Sequence, residues 1–332
     1  MLEQDSLAVV FIFLMGLSVL IYAILDGYDL GVGMLLPLDN DKHADTMIAS
    51  IGPFWDANET WLVLAVGLLL IAFPEAHSHI LKELYIPATL LLLGLILRGV
   101  AFDFRAKTKF SHKPIWNVAF KLGSWLASFT QGYMLGAYVT GFATDGFSIA
   151  FALLSGFGVC AAYCFIGATW LVMKTEDGLQ AWSIKIARAS LLIAFLGTVL
   201  VSIANLILNP VVYTKWFSWP VGFFLLPIPL VCAVLFAFCY KALAKLESKP
   251  TFAAGFPFIL AALIFTLSFI GLGYSFYPYI VPNELTIWQA VAAKESLNFL
   301  LYGAVIVVPT ILAYTVYSYR VFWGKVQELR YY

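Results

Sequence analysis

Apolar runs long enough to cross a lipid bilayer recur along almost the whole of this chain. A hydrocarbon core about 30 Å thick takes roughly 20 apolar residues per helix. Inside it every backbone N–H and C=O must be paired within the segment, so each run is expected to be α-helical. Read against their polar, Pro and Gly interruptions, the runs predict an all-α, polytopic integral membrane protein of about nine transmembrane helices. They lie near residues 7–34, 54–73, 80–102, 116–140, 147–172, 187–208, 220–242, 252–275 and 297–319. Charged residues make up 11% of the 332 positions, against about 25% in a soluble domain, which leaves room for one membrane domain over 1–332 and little else. Net charge is zero and no basic block points to nucleic acid. The N-terminus, Met-Leu-Glu-Gln-Asp, is acidic, so the first run is expected to be a retained helix rather than a signal peptide. Cys160, Cys164, Cys232 and Cys239 all fall within apolar runs and read as small buried hydrophobes.

Lys and Arg favour the cytoplasmic side. With the N-terminus outside, all 19 fall on the inner side except Lys82, Lys215, Lys294 and the intrahelical Arg98. An odd number of helices then sets the N-terminus in the periplasm and the C-terminus in the cytoplasm.

Several residues are of kinds a membrane interior normally excludes. Asp26 and Asp29 close the first helix three positions apart, on one face, and Gly27, Gly31 and Gly33 offer a surface for close helix approach. The second helix opens at Pro53 and carries Asp56 and Glu59 on one face, with Trp55, Asn58 and Trp61 nearby. The third ends with Arg98, Asp103 and Arg105. A central intramembrane charge costs about 2.5–3.5 kcal/mol, so four carboxylates cost on the order of 10 kcal/mol unless paired, protonated or hydrated. The helix dipole accounts for Asp56 and Glu59 in a first turn, but not for Asp26 and Asp29 at a helix C-terminal end. The topology puts all four toward the cytoplasm, where protonatable carboxylates on facing helices suit a proton-uptake route. Arg98 reads equally as a salt bridge that orders the helices.

His43, His77, His79 and His112 are expected in loops or at helix ends, none mid-span. Haem iron needs an axial His, Met, Cys or Tyr, and Met134 and Met173 read as packing. No phosphate-binding loop or nucleophile motif is visible. The chain alone is therefore expected to hold no haem or metal and to perform no redox or hydrolytic chemistry. The Pro- and aromatic-rich stretch 271–290 is expected to lie on the outer face as a rigid interfacial connection.

Taken together, these segments resemble subunit II of the cytochrome bd family of quinol oxidases. The matching pieces are Asp26-Gly-Tyr-Asp29-Leu-Gly-Val-Gly33, Trp55-Asp56-Ala-Asn58-Glu59-Thr-Trp61, Arg98 with Phe102-Asp103-Phe104-Arg105, and Pro278 to Pro282 with Leu285-Thr-Ile-Trp288. The last helix, with Pro309-Thr-Ile-Leu-Ala-Tyr314-Thr, also fits. The resemblance spans nearly the whole chain, and its motifs are specific as a set.

It implies a multi-pass protein of the bacterial inner (cytoplasmic) membrane, one subunit of an electrogenic quinol oxidase and not catalytic alone. The implied partner, subunit I, carries haem b, haem d and the quinol site, and a small single-helix accessory subunit is a further implied partner. Quinol is oxidised on the outer side, oxygen is reduced to water, and protons are drawn from the cytoplasm. By position Asp56 matches a proton pathway and Trp61 an oxygen-access channel. Asp29, Trp55 and Arg98 match the surroundings of a structural quinone that some members bind. Two positions depart from the pattern: Ala57 replaces a frequent Gly, and Phe54 stands where some members place a His.

Two other readings compete. A proton-coupled secondary transporter is expected to show inverted repeats with broken helices meeting at the midplane. Here the acids are confined to the first three helices and to one side. A purely structural subunit would use its carboxylates only to bind a neighbour.

Overall fold

The computed structural model describes residues 3–107, 112–248 and 253–326. Helices α1 (Gln4–Leu35), α2 (Asp41–Ile51), α3 (Trp55–Ala72), α4 (Pro74–Lys107), α5 (Lys113–Val139) and α6 (Gly146–Lys174) form the first part. They are followed by α7 (Asp177–Leu208), the short α8 (Pro210–Phe217) and α9 (Val221–Leu225), α10 (Pro227–Ser248) and α11 (Phe256–Phe276). A small hairpin, β1 (Tyr279–Val281) with β2 (Leu285–Thr286), leads through α12 (Ile287–Ala290) into α13 (Lys294–Val321). Lys109, Lys249 and Arg330, counted above for orientation, lie outside the described residues.

Among the described residues, 8 helices are long and apolar enough to cross a membrane: α1, α3, α4, α6, α7, α10 with its preceding turn, α11 and α13. The ninth expected helix, near 116–140, is α5, which is 27 residues long but does not meet that apolar standard. Its polar residues explain the difference. Asn117, Ser124, Ser128 and Thr130 are buried, so α5 turns a polar face inward.

Three boundaries differ from expectation. Helix α4 begins at Pro74 and not near 80, so His77 and His79 ride on its first turns, at a helix end. Pro is tolerated there because a first-turn N–H has no helical partner to lose. Helix α7 begins well before its apolar run, its leading turns carrying the polar residues Gln180, Lys185 and Arg188. The run expected from 220 opens with the short α9 before α10 starts at Pro227, and α8 precedes it. Helix α2 was not foreseen; Asn40 caps it by accepting a hydrogen bond from the His43 N–H at 3.0 Å.

The C-terminal half of α1 is the hub of the bundle, and residues 26–34 are buried at every position. A segment buried all round needs small residues where neighbours cross. A Cβ at Gly31 would overlap the Tyr163 carbonyl of α6, and one at Gly33 would overlap Ser124 Oγ of α5. At the opposite end, Leu7 and Phe11 of α1 pack with Phe73, Ala76, Leu297 and the hairpin residues Ile280 and Val281. The four cysteines are free and within helices, Cys164 partly buried and the others buried.

Candidate functional site

The end of the bundle where α1 finishes gathers the acids. Arg98, on α4, reaches across to α1 and α3. Its Nη1 donates to Asp26 Oδ1 at 2.6 Å and its Nη2 to Glu59 Oε2 at 3.0 Å. Asp26 is 0% exposed and Arg98 1%, whereas Glu59 retains 27% and is the side of the bridge nearest solvent or a neighbour. Such a buried pair is tolerable only because two helices deliver charge-assisted hydrogen bonds to one planar fork. Among the described residues, the buried Asp26 Oδ2 and Arg98 Nε have no hydrogen-bond partner.

Asp29 is fully buried but does not touch Arg98. Its Oδ2 accepts from Asn58 Nδ2 at 2.8 Å, and its Oδ1 has no hydrogen-bond partner among the described residues. Asn58 Nδ2 also donates to the Tyr28 hydroxyl, which lies 2.5 Å from the Tyr319 hydroxyl of α13. A second amide, Gln131 of α5, sits between two phenols, Tyr22 of α1 one turn before Asp26 and Tyr163 of α6. Gln131 donates to the Tyr22 hydroxyl and accepts from Tyr163, both at 2.7 Å. Asp26 and Glu59 thus share one guanidinium, and Asp29 lies beside them in the same largely closed polar network.

Asp56 stands apart. Its side chain is exposed on the outer face of α3 and makes no hydrogen bond or ion pair among the described residues. Trp55 packs beside the cluster, its ring 5.9 Å from the Arg98 guanidinium carbon and 4.9 Å from the Phe102 ring. Trp61 is fully buried, and its Nε1 has no hydrogen-bond partner among the described residues. Phe54 is buried and stacks on Tyr319 at 4.6 Å.

A second polar group lies at the same end. Arg105 donates to Asn117 Oδ1 at 2.5 Å and to Asp45 Oδ1 at 2.7 Å, with Lys113 3.3 Å from the same carboxylate. Lys121 donates to the Leu36 carbonyl just beyond α1. Beyond the spans, Lys325 donates to the Thr175 carbonyl at 2.7 Å, and partial burial pushes its ammonium below the usual lysine range.

Sequence reasoning named Asp26, Asp29, Glu59 and Arg98, and the structure brings these four together. It missed the tyrosines, Gln131 and the Asp45–Arg105 pair. Tyr28 had a signal, since it lies between the two aspartates. Tyr319 had none, because only the fold brings α13 to α1. No group of His, Cys, Asp and Glu among the described residues could hold a metal ion, and none of the four histidines is buried.

Residues 7–322 match the family model for cytochrome bd terminal oxidase subunit II. The chain belongs to that family. Cytochrome bd-I ubiquinol oxidase subunit 2 of Escherichia coli K12 is 27% identical to it over 374 residues, covering 99% of this chain and 97% of its own length. Cytochrome bd ubiquinol oxidase subunit 2 of Bacillus subtilis 168 is 27% identical over 323 residues, covering 92% of each. The bd oxidase structure from Geobacillus thermodenitrificans contains a chain of similar fold, with a TM-score of 0.61 over 95% of this chain and 99% of that one, at 9% identity. Membership in the subunit II family fits a multi-pass chain with 8 helices among the described residues long and apolar enough to cross a membrane.

Proposed function

We propose that this chain is the haem-free subunit of a cytochrome bd-type quinol oxidase of the bacterial inner membrane, and that its acid cluster admits protons from the cytoplasm. The observation that carries the reading is the Glu59–Arg98–Asp26 bridge, partly open at Glu59 and closed at Asp26. Carboxyl groups in excess of the single guanidinium are sites where protons can reside between uptake and delivery. The orientation follows Lys and Arg: Arg105, Lys113, Lys121, Lys174 and Lys325 all lie at the end where α1 finishes, which supports a cytoplasmic assignment for that end. Helix α1 then starts in the periplasm.

The haems b and d of subunit I supply electron transfer and oxygen reduction. This chain's residues order the helices, hold protons and form the docking face. Asp56 lies on the outside of α3, and an uncovered carboxylate facing lipid is costly. The adjoining α13 is the least buried of the spans, with Phe299, Tyr302, Ile306, Val316 and Tyr317 exposed. The α3–α13 face is therefore assigned to subunit I, with Asp56 as the proton-bearing group handed across. Trp61 would line oxygen access. Where a structural quinone binds, Arg98 Nε is the buried donor left for its carbonyl, beside Trp55 and Asp29. Phe54, committed to Tyr319, offers it no hydrogen bond. A single-helix accessory subunit would bind elsewhere on the exposed apolar surface.

In the purified complex, Asp56→Asn is expected to slow oxygen consumption by roughly tenfold or more, with the visible haem spectrum intact. Wild-type oxygen consumption by that variant would remove Asp56 from the route.

A further inference from the structure

Tyr319 is remote in sequence from the acids, yet its hydroxyl closes a ring of hydrogen bonds around Asn58. Asn58 Nδ2 and the Tyr28 hydroxyl are 3.0 Å apart, the two phenol oxygens 2.5 Å, and the Tyr319 hydroxyl and Asn58 Oδ1 3.4 Å. An amide nitrogen only donates and an amide oxygen only accepts. The direction around the ring is thereby set: Asn58 donates to Tyr28, Tyr28 to Tyr319, and Tyr319 back to the Asn58 oxygen. With that oxygen engaged, the amide nitrogen is what faces Asp29 Oδ2, at 2.8 Å. A flipped amide would set oxygen against oxygen inside the protein, where an unmatched polar contact is expensive.

Both phenol rings are held in place. Tyr28 stacks on Trp170 at 4.1 Å and Tyr319 on Phe54 at 4.6 Å. The chain just beyond Tyr319 is tied to α6, since Lys174 Nζ donates to the Phe322 carbonyl at 2.7 Å and the Val326 N–H to the Lys174 carbonyl at 2.9 Å. Asp29 is faced by Asp26 on its own helix, Glu59 on α3, Arg98 on α4, and the phenols of Tyr28 and Tyr319.

We infer that Tyr319 is a positioning residue for Asp29, acting through Asn58: it fixes the amide so that the carboxylate meets a donor and keeps Oδ1 free. The inference rests on Asp29 belonging to the proton-access cluster. Its test uses the assembled oxidase with Tyr319→Phe, which keeps the ring and its stacking and removes only the hydroxyl. Oxygen consumption is measured against pH beside the visible haem spectrum. The expected result is an unchanged spectrum and an alkaline limb of the pH–activity profile displaced upward by about 0.5–1 pH unit, because the ionised carboxylate no longer has an assured donor. In an Asp29→Asn background, adding Tyr319→Phe should produce no further displacement. A Tyr319→Phe profile superimposable on wild type, while Asp29→Asn alters it, overturns the inference. An Asp29→Asn complex with wild-type rate and profile instead overturns the proton role of Asp29, and the inference with it. Should Tyr319→Phe lose its haem, Tyr28→Phe breaks the same ring at its other oxygen and is read against the same outcomes.

Discussion

Arg98 Nη1 and Asp26 Oδ1 lie 2.6 Å apart, on α4 and α1, with both side chains shut away from the surface. Breaking such a pair by removing one partner leaves a buried charge without compensation, which typically costs 3–5 kcal/mol. Arg98→Leu is accordingly expected to impair assembly, seen as haem signal lost from the purified complex. Arg98→Lys keeps the charge but not the two-pronged fork, so an intermediate loss is expected. Full haem content in Arg98→Leu would show that the bridge is not needed to order α1, α3 and α4.

The two acids on that fork should behave differently because their surroundings differ. Asp26→Asn leaves Arg98 buried beside a neutral amide and is expected to lower complex yield and thermal stability together. Glu59, partly exposed at 27%, tolerates Glu59→Gln structurally, yet oxygen consumption is expected to fall by roughly tenfold. An oxygen electrode and a melting curve on the same preparations separate the effects. Equal losses of stability in both variants would contradict the difference in burial.

Gly31 tests the helix packing rather than the chemistry. A Cβ there meets the Tyr163 carbonyl, a backbone atom that cannot rotate away. Gly31→Ala is expected to destabilise the subunit by about 1–3 kcal/mol through overpacking. Gly67→Ala, with open space at its Cβ position, should stay within about 0.5 kcal/mol. Thermal denaturation of the two variants compares them directly.

Much of this architecture was legible because a bilayer constrains sequence so strongly. Apolar run length located nearly all of the spans, and α5 was found although its inward face carries Asn117, Ser124 and Ser128. The acids announced themselves by being out of place, and Arg98 with Asp26 and Glu59 proved to be one contact. What stayed hidden depended on distance along the chain. Tyr319 and Gln131 are unremarkable residues in apolar runs, and only the packing of α13 and α5 on α1 gives them roles. The hairpin after α11 was read as a rigid connection, since two short strands carry too little periodicity to be seen. Asp56 and Glu59 share a helix face by spacing, yet one turn is enough to put the first on the outer surface and the second on Arg98.

The uninterrupted burial of residues 26–34 bears on biogenesis. Helix α1 leaves the ribosome before α3, α4, α5 and α6, the helices that later surround it. Until they arrive, Asp26 and Asp29 have neither Arg98 nor Asn58, and the segment around them is too polar to rest in lipid unaided. Stable burial of this half of α1 therefore depends on helices that follow it in the chain, α4 above all, which brings the arginine that pairs with Asp26.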